Sequence, residues 1–494
     1  MIRPGVPAIP GRDRGFGYLW FGQTVAELGS QVGVVAIPLL AAATLHVSAW
    51  EMGLLVAVET LPALLISLPA GVFVDRHSRR KILIAADVGR AAALLCIPAA
   101  WLVGALSLPV LFAVALVVGG LTIVFDVAYQ SYVPELLAGD ELASGNQRLE
   151  VSASGAQVAG PGVGGVLVAT LGAAGAILLD GVAYLVSAIS IARTHAVRST
   201  LAEGEGARRP SMWAAVAEGL RVVLADRALR DLAASTATFN LASAMILAVF
   251  VLFATRELGL SAGEFGLLYG LANVGFVLGA FVSGRLSRRL GLGPAMFLAG
   301  CLGAVATVLL PLSIGPLAIL VLFAGRFAGA VATPVYNVAL LTYVQSVAPA
   351  GLLGRVNATF RFIDWGTVPL GALLGGALGS QFGLRATLVV AAVLGVGRLG
   401  FLVGSPARRV GAPSVAFGLE ADRCPEVAAG SRAVAAGARA VAAGSWAAAP
   451  GRGAAANGAR AVAAGSGAVV GAPSVGATAG LVGLATTDEV LPAG

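Results

Sequence analysis

Charge is what this chain lacks most. Of its 494 residues only 12% are Asp, Glu, Lys or Arg, and Lys81 is the single lysine. With 58% hydrophobic residues and a mean hydropathy of +0.89, the composition excludes a soluble globular domain and indicates a polytopic membrane protein. Lys81 follows Arg80 rather than standing in G-K-[ST], so the chain has no Walker A loop. Histidine is equally scarce. His46, His77 and His195 all fall near the ends of apolar runs, with no HExxH and no G-x-S-x-G serine beside a histidine partner, which argues against a membrane enzyme. Cys96, Cys301 and Cys424 show no CxxC spacing, so neither a disulfide framework nor a metal site is indicated. The net charge of +7 comes from arginines in short gaps between apolar runs. They form no basic face with interleaved aromatics, so nucleic acid is not an expected partner.

What is present is a succession of long apolar runs. A spanning helix needs about 20 apolar residues, and runs of that length recur about twelve times before residue 405. They are expected over 17–43, 50–74, 82–104, 108–133, 146–170, 174–195, 230–255, 262–285, 292–312, 316–341, 355–379 and 384–404. The N-terminal stretch lacks a small-residue cleavage site, so the first run reads as a retained helix. Alternate gaps are basic: Arg76, Arg79, Arg80 and Lys81, then Arg148, then Arg208 and Arg209, then Arg285, Arg288 and Arg289, then Arg355. The opposite gaps hold only Arg256 and Arg385, so the positive-inside rule places both termini in the cytoplasm; the cell (inner) membrane is the expected location.

The longest gap divides the array six and six. The expected organisation is a six-helix half over 1–195, a cytoplasmic linker over 196–229, a second half over 230–404 and a low-complexity cytoplasmic tail over 405–494. Within the linker, "SMWAAVAEGLRVVLADRALRD" reads as an amphipathic helix with Trp213, Val216, Leu220, Val223 and Leu224 on one face, lying on the membrane surface. "RHSRR" at 76–80 returns as "RLSRR" at 285–289; such an internal repeat is a transporter signature.

"GVFVDRHSRRKIL" resembles the cytoplasmic loop motif of the major facilitator superfamily, with Gly71, Asp75, Arg76, Arg79, Arg80 and Leu83 in place and Phe73 and Ser78 departing from it. "FGQTVAELGSQVGVVAIPLL", "NQRLEVSASGAQVAGPGVGG" and "VPLGALLGGALGSQFGLR" are similar to the branch containing enterobactin exporters and macrolide efflux pumps. The resemblance covers residues 16 to 406. It implies an all-α fold of twelve transmembrane helices in two six-helix halves, no cofactor, and Asp75 as a latch resting on the start of helix eleven in the outward-facing state. It also implies that Arg79 pairs with an acid at the inner end of helix four, Asp126 or Glu135. "GPGVGG" matches the family's antiporter motif in helix five through Gly160, Pro161, Gly164 and Gly165. Two readings stand for it: a hinge, since Pro161 removes a backbone donor, or close helix packing.

Charges inside spans each need a reason, since one at mid-bilayer costs about 2.5–3.5 kcal/mol on insertion scales. Glu27 and Glu59 sit nearest the middle of their helices and are the candidates for proton coupling, with Glu27 preferred. Arg326 lies mid-helix without a local acid and joins them as a candidate. Asp87 with Arg90, and Arg361 with Asp364, stand three apart and read as intramembrane charge pairs. Glu150 and Asp180 lie nearer span ends. The function expected is a monomeric exporter of small amphipathic or apolar molecules, such as a drug, siderophore or natural product, by proton antiport and alternating access. A facilitator or importer of the same fold is the alternative, and a membrane enzyme a distant third.

Overall fold

The computed structural model describes residues 12–137, 140–194, 220–347 and 352–410. Its helices are α1 (Arg12–Ala43), α2 (Ala49–Arg76), α3 (Arg79–Leu102) and α4 (Leu108–Leu136). A helical stretch Asp140–Ala192 follows, and it breaks at Gly172, where φ is 75° and ψ 163°. That left-handed backbone is open to glycine at little cost, and it divides the stretch into α5 (140–171) and α6 (173–192). The second half holds α7 (Arg227–Leu252), extended by a π-turn Phe253–Glu257, then α8 (Ala262–Leu290), α9 (Leu292–Leu309), α10 (Ala318–Val347), α11 (Leu353–Phe382) and α12 (Leu384–Gly404). Twelve passes result among the described residues, each within a few residues of its expected span.

Local chemistry explains the boundaries. Ser48 and Ser261 open α2 and α8 with the same capping box: Glu51 accepts from the Ser48 N–H at 2.7 Å, and Glu264 from the Ser261 N–H at 2.8 Å. The serine hydroxyls accept in return from the Glu51 and Glu264 N–H groups. Single glycines, Gly291 (φ 97°) and Gly383 (φ 91°), turn α8 into α9 and α11 into α12. The linker reading is corrected where it is described. Helix covers 220–225 and stops before Asp226, whose carboxylate caps α7 by accepting from the Leu229 N–H at 2.9 Å. Val223 is buried in one core with Leu229 and Leu292, whereas Leu220 and Leu224 are exposed. Residues 195–219 of the linker, and the tail from 411, lie outside the described residues.

The helices form two bundles with different connections at their two ends. In the first, α1 packs along α5 and α6, and α2 and α3 pack on α4; in the second, α7 meets α11 and α12, while α10 meets α8 and α9. The bundles join through α2 with α11 and α5 with α8. Those seams are lined by glycine. A Cβ on Gly266 would stand 2.8 Å from the Gly165 N and the Pro161 carbonyl oxygen, one on Gly270 2.8 Å from the Gly162 N, and one on Gly376 3.0 Å from the Gly53 Cα. All these contacts lie toward the end opposite the basic turns. There one core unites Leu39 and Met52 with Met245, Phe253 and Leu268. At the basic end two cores stand apart, one around Leu83, Tyr132 and Ile191, the other around Leu229, Leu292 and Tyr343. Among the described residues the halves therefore share a core only at the end opposite the basic turns, which leaves a cleft between the two separate cores toward the basic end.

The two arginines at the opposite end have structural partners. Arg256 donates to the Val47 carbonyl at 2.8 Å, across the halves, and Arg385 pairs with Glu257 at 3.2 Å while donating to the Pro311 carbonyl at 2.6 Å. They tie turns together, which accounts for their departure from the charge pattern.

Candidate functional site

The first half presents acids to the cleft. Glu27 on α1 is half-buried, accepts from the Gln31 amide at 3.3 Å, and lies within electrostatic range of Arg90 and Glu150. Asp126 on α4 is exposed, and its charged neighbours are Arg90, Glu27 and, from the other half, Arg361. That last neighbour belongs to α11, so Asp126 lies within electrostatic range of the other half. Tyr129, one turn along α4, stands near Glu27, Asp126 and Glu150. Glu59 is exposed on α2 and acts on Asp180.

Arg90 organises this wall from behind. Asp87 and Arg90 form an ion pair on α3, 0% and 5% exposed, and the guanidinium lies between the rings of Phe125 and Tyr184, 4.3 Å from each centroid. Charge pairing and two cation–π contacts together hold a cation in an apolar bundle. Asp180 on α6 is 3% exposed and fits where Gly29 and Gly33 leave room on α1; a Cβ on Gly29 would stand 3.0 Å from its Oδ1.

The second half presents arginines. Arg361 is exposed and no close ion pair with Asp364 is made, which corrects the expected second pair. The Asp364 carboxylate instead accepts from the Asn240 amide of α7 at 2.9 Å, and Arg361 lies within electrostatic range of both Asp364 and Asp126. Arg326 sits over the rings of Phe250 and Tyr269, at 5.0 and 4.6 Å. Arg398 on α12, a residue the sequence reading passed over, lies between Phe239 and Tyr336 at 4.5 and 4.7 Å. The signal for it was available, since it is a lone arginine inside an apolar run.

The basic turn is built from contacts within the first half. Arg79 pairs with Glu135 of α4, so of the two candidate acids Glu135 is the partner and Asp126 belongs to the cleft. Arg80 donates to the Ile191 carbonyl at 3.3 Å and to that of Ala192, capping the C-terminal end of α6. Arg76 is exposed, and a Cβ on Gly71 would meet nothing within 4 Å. Asp75 falls in the last turn of α2, and its side chain lies outside the described residues. In "GPGVGG", Gly160 and Gly164 pack on Gln31 and Val32 of α1, while Gly165 packs on Gly266 of α8. Pro161 remains helical, so close packing accounts for the motif in this state. Among the described residues no three His, Cys, Asp or Glu side chains gather as a metal site.

Two six-helix bundles around a charged cleft that opens at one end define a secondary transporter. Comparison with known proteins agrees. The model of the transmembrane secretion effector family matches residues 6–405, and the chain belongs to that family of major facilitator transporters. It is 29% identical over 386 residues to the multidrug efflux pump Tap of Mycolicibacterium fortuitum, covering 75% of this chain and 90% of that one. It is 26% identical to the enterobactin exporter EntS of Escherichia coli O1:K1 / APEC, covering 70% and 81%. Among solved structures, the nucleoside transporter NupG superposes with a TM-score of 0.65 at 10% identity, covering 79% of this chain and 98% of that one. A bacterial homologue of the iron transporter ferroportin in an inward-facing state gives 0.64 at 16%, covering 79% and 98%. Both describe the fold alone.

Proposed function

We propose that this protein exports small amphipathic or apolar molecules across the cell (inner) membrane as a monomer, exchanging them for protons by alternating access. The observation that carries the reading is the separation of the two described cores toward the basic end, with Glu27 and Asp126 of the first half in the region between them. With the basic end cytoplasmic, as the positive-inside rule directs, the described state receives substrate from the cell interior. A carboxylate on the cleft wall can then take a proton on one side and release it on the other. The names of the relatives, a multidrug efflux pump and an enterobactin exporter, favour the outward direction.

Glu27 is the residue assigned to coupling, because it faces the cleft and has no arginine in direct contact among the described residues. Glu59, exposed beside Asp180, is the second candidate. The test is transport in proteoliposomes with an imposed pH gradient. Glu27→Gln keeps the shape and the Gln31 contact but cannot ionise, so uphill accumulation should disappear while exchange at zero gradient survives. A variant that still pumps uphill excludes Glu27 and moves the role to Glu59.

A further inference from the structure

Pro161 has no N–H, so within α5 the carbonyl of Gln157, four residues before it, lacks its helical donor. That carbonyl is not left bare. The side-chain amide of Asn273, on α8 of the other half, donates to it at 2.9 Å. Pro62, Pro98 and Pro369 free the carbonyls of Val58, Leu94 and Trp365 in the same way in α2, α3 and α11, and none of these receives a side-chain donor among the described residues.

Asn273 continues the row that glycines open on α8. A Cβ on Gly266 would meet Pro161 and Gly165, one on Gly270 would stand 3.3 Å from the Val158 carbonyl oxygen, and the Asn273 amide then reaches Gln157. The contacts run down the seam from the end opposite the basic turns, and the half-buried Asn273 stands at its inner edge. Close approach of the glycines brings α8 within reach, and the missing N–H supplies an acceptor. In the apolar part of a bilayer such a carbonyl has no water to turn to. The bond is between neutral groups, and one to a charged group would be about twice as strong, so this contact can be released in every cycle.

We propose that Asn273 is a positioning residue for transport: through the Gln157 carbonyl that Pro161 frees, it holds α8 to α5 and sets how much of the protein stands closed at the end opposite the basic turns. The proposal rests on the alternating access proposed above. When the halves part at that end the bond breaks, and the carbonyl and the amide exchange each other for water. Pro161 removes an internal donor, and the other half supplies one that can be withdrawn.

The experiment places spin labels at Leu171 and Ile314, exposed on opposite halves in the gaps after α5 and α9, in the full-length protein in nanodiscs with its three native cysteines replaced. The readout is the ratio of long to short distances over a range of pH. Asn273→Leu should raise that ratio by roughly two- to tenfold, the range one neutral hydrogen bond supplies. Pro161→Ala restores the N–H and fills the Gln157 carbonyl from within α5, so Asn273→Leu added to Pro161→Ala should change the ratio little. Lost packing alone would act equally in both backgrounds. An unchanged ratio in Asn273→Leu, or the same change with and without Pro161→Ala, overturns the proposal and leaves alternating access standing. One distance in every variant at every pH overturns it together with the transport reading.

Discussion

At the scale of single residues, the Asp87–Arg90 pair gives the sharpest expectation. Breaking a buried pair by removing one partner leaves an uncompensated charge and costs about 3–5 kcal/mol. Asp87→Asn should therefore lower the thermal midpoint of the purified protein, and adding Arg90→Met should recover much of that loss. Transport should not recover, because Arg90 acts electrostatically on both Glu27 and Asp126. Recovery of both would make the pair a packing element with no bearing on the cleft. This pair was legible in the sequence, since a spacing of three puts both side chains on one helix face. The Arg361–Asp364 spacing is identical and misled, because Asn240, 124 residues away, takes the carboxylate. Which acid faces which helix is decided by the rotation of α4 and α11 in the bundle, and no local pattern carries that information.

At the scale of elements, the seams matter most. Gly165 with Gly266 and Gly53 with Gly376 allow backbone to approach backbone, so Gly266→Val should force α5 from α8 and disfavour the state closed at the end opposite the basic turns. Cysteine accessibility at that end should rise, and transport should fall, with expression little changed. Gly71 offers the converse. Nothing lies near it here, so Gly71→Leu should leave this state intact and obstruct any state in which the basic end closes against the second half; trapping of labelled substrate from the basic side without release would be the sign. The positions of the twelve helices were readable from the apolar runs, including the gap after residue 170, although that Gly172 makes the break was not read. The amphipathic helix before α7 was read too long, because its periodicity runs through Asp226, where a cap ends one helix and starts the next.

At the scale of the whole molecule, the two halves share their scaffold and differ in their charges. The capping boxes and the basic turns repeat, whereas acids predominate on the first wall of the cleft and arginines in the second half. Spin labels at His77 and Leu290, both exposed at the basic end, should report a long distance in this state. If the proposed proton exchange drives alternation, a second, shorter population should appear as pH is lowered; a single unchanged distance under every condition would argue against alternating access.

The side-chain links of the basic turn have one more consequence. Arg79 joins it to α4 and Arg80 joins it to the end of α6, so three chain segments that meet nowhere in sequence are fastened into one unit. Local opening tends to run through such cooperative units rather than through single loops. In hydrogen exchange the amides of residues 79–83, 133–136 and 191–194 should therefore become accessible together and at one rate, as expected of one rigid unit at the end of the first half.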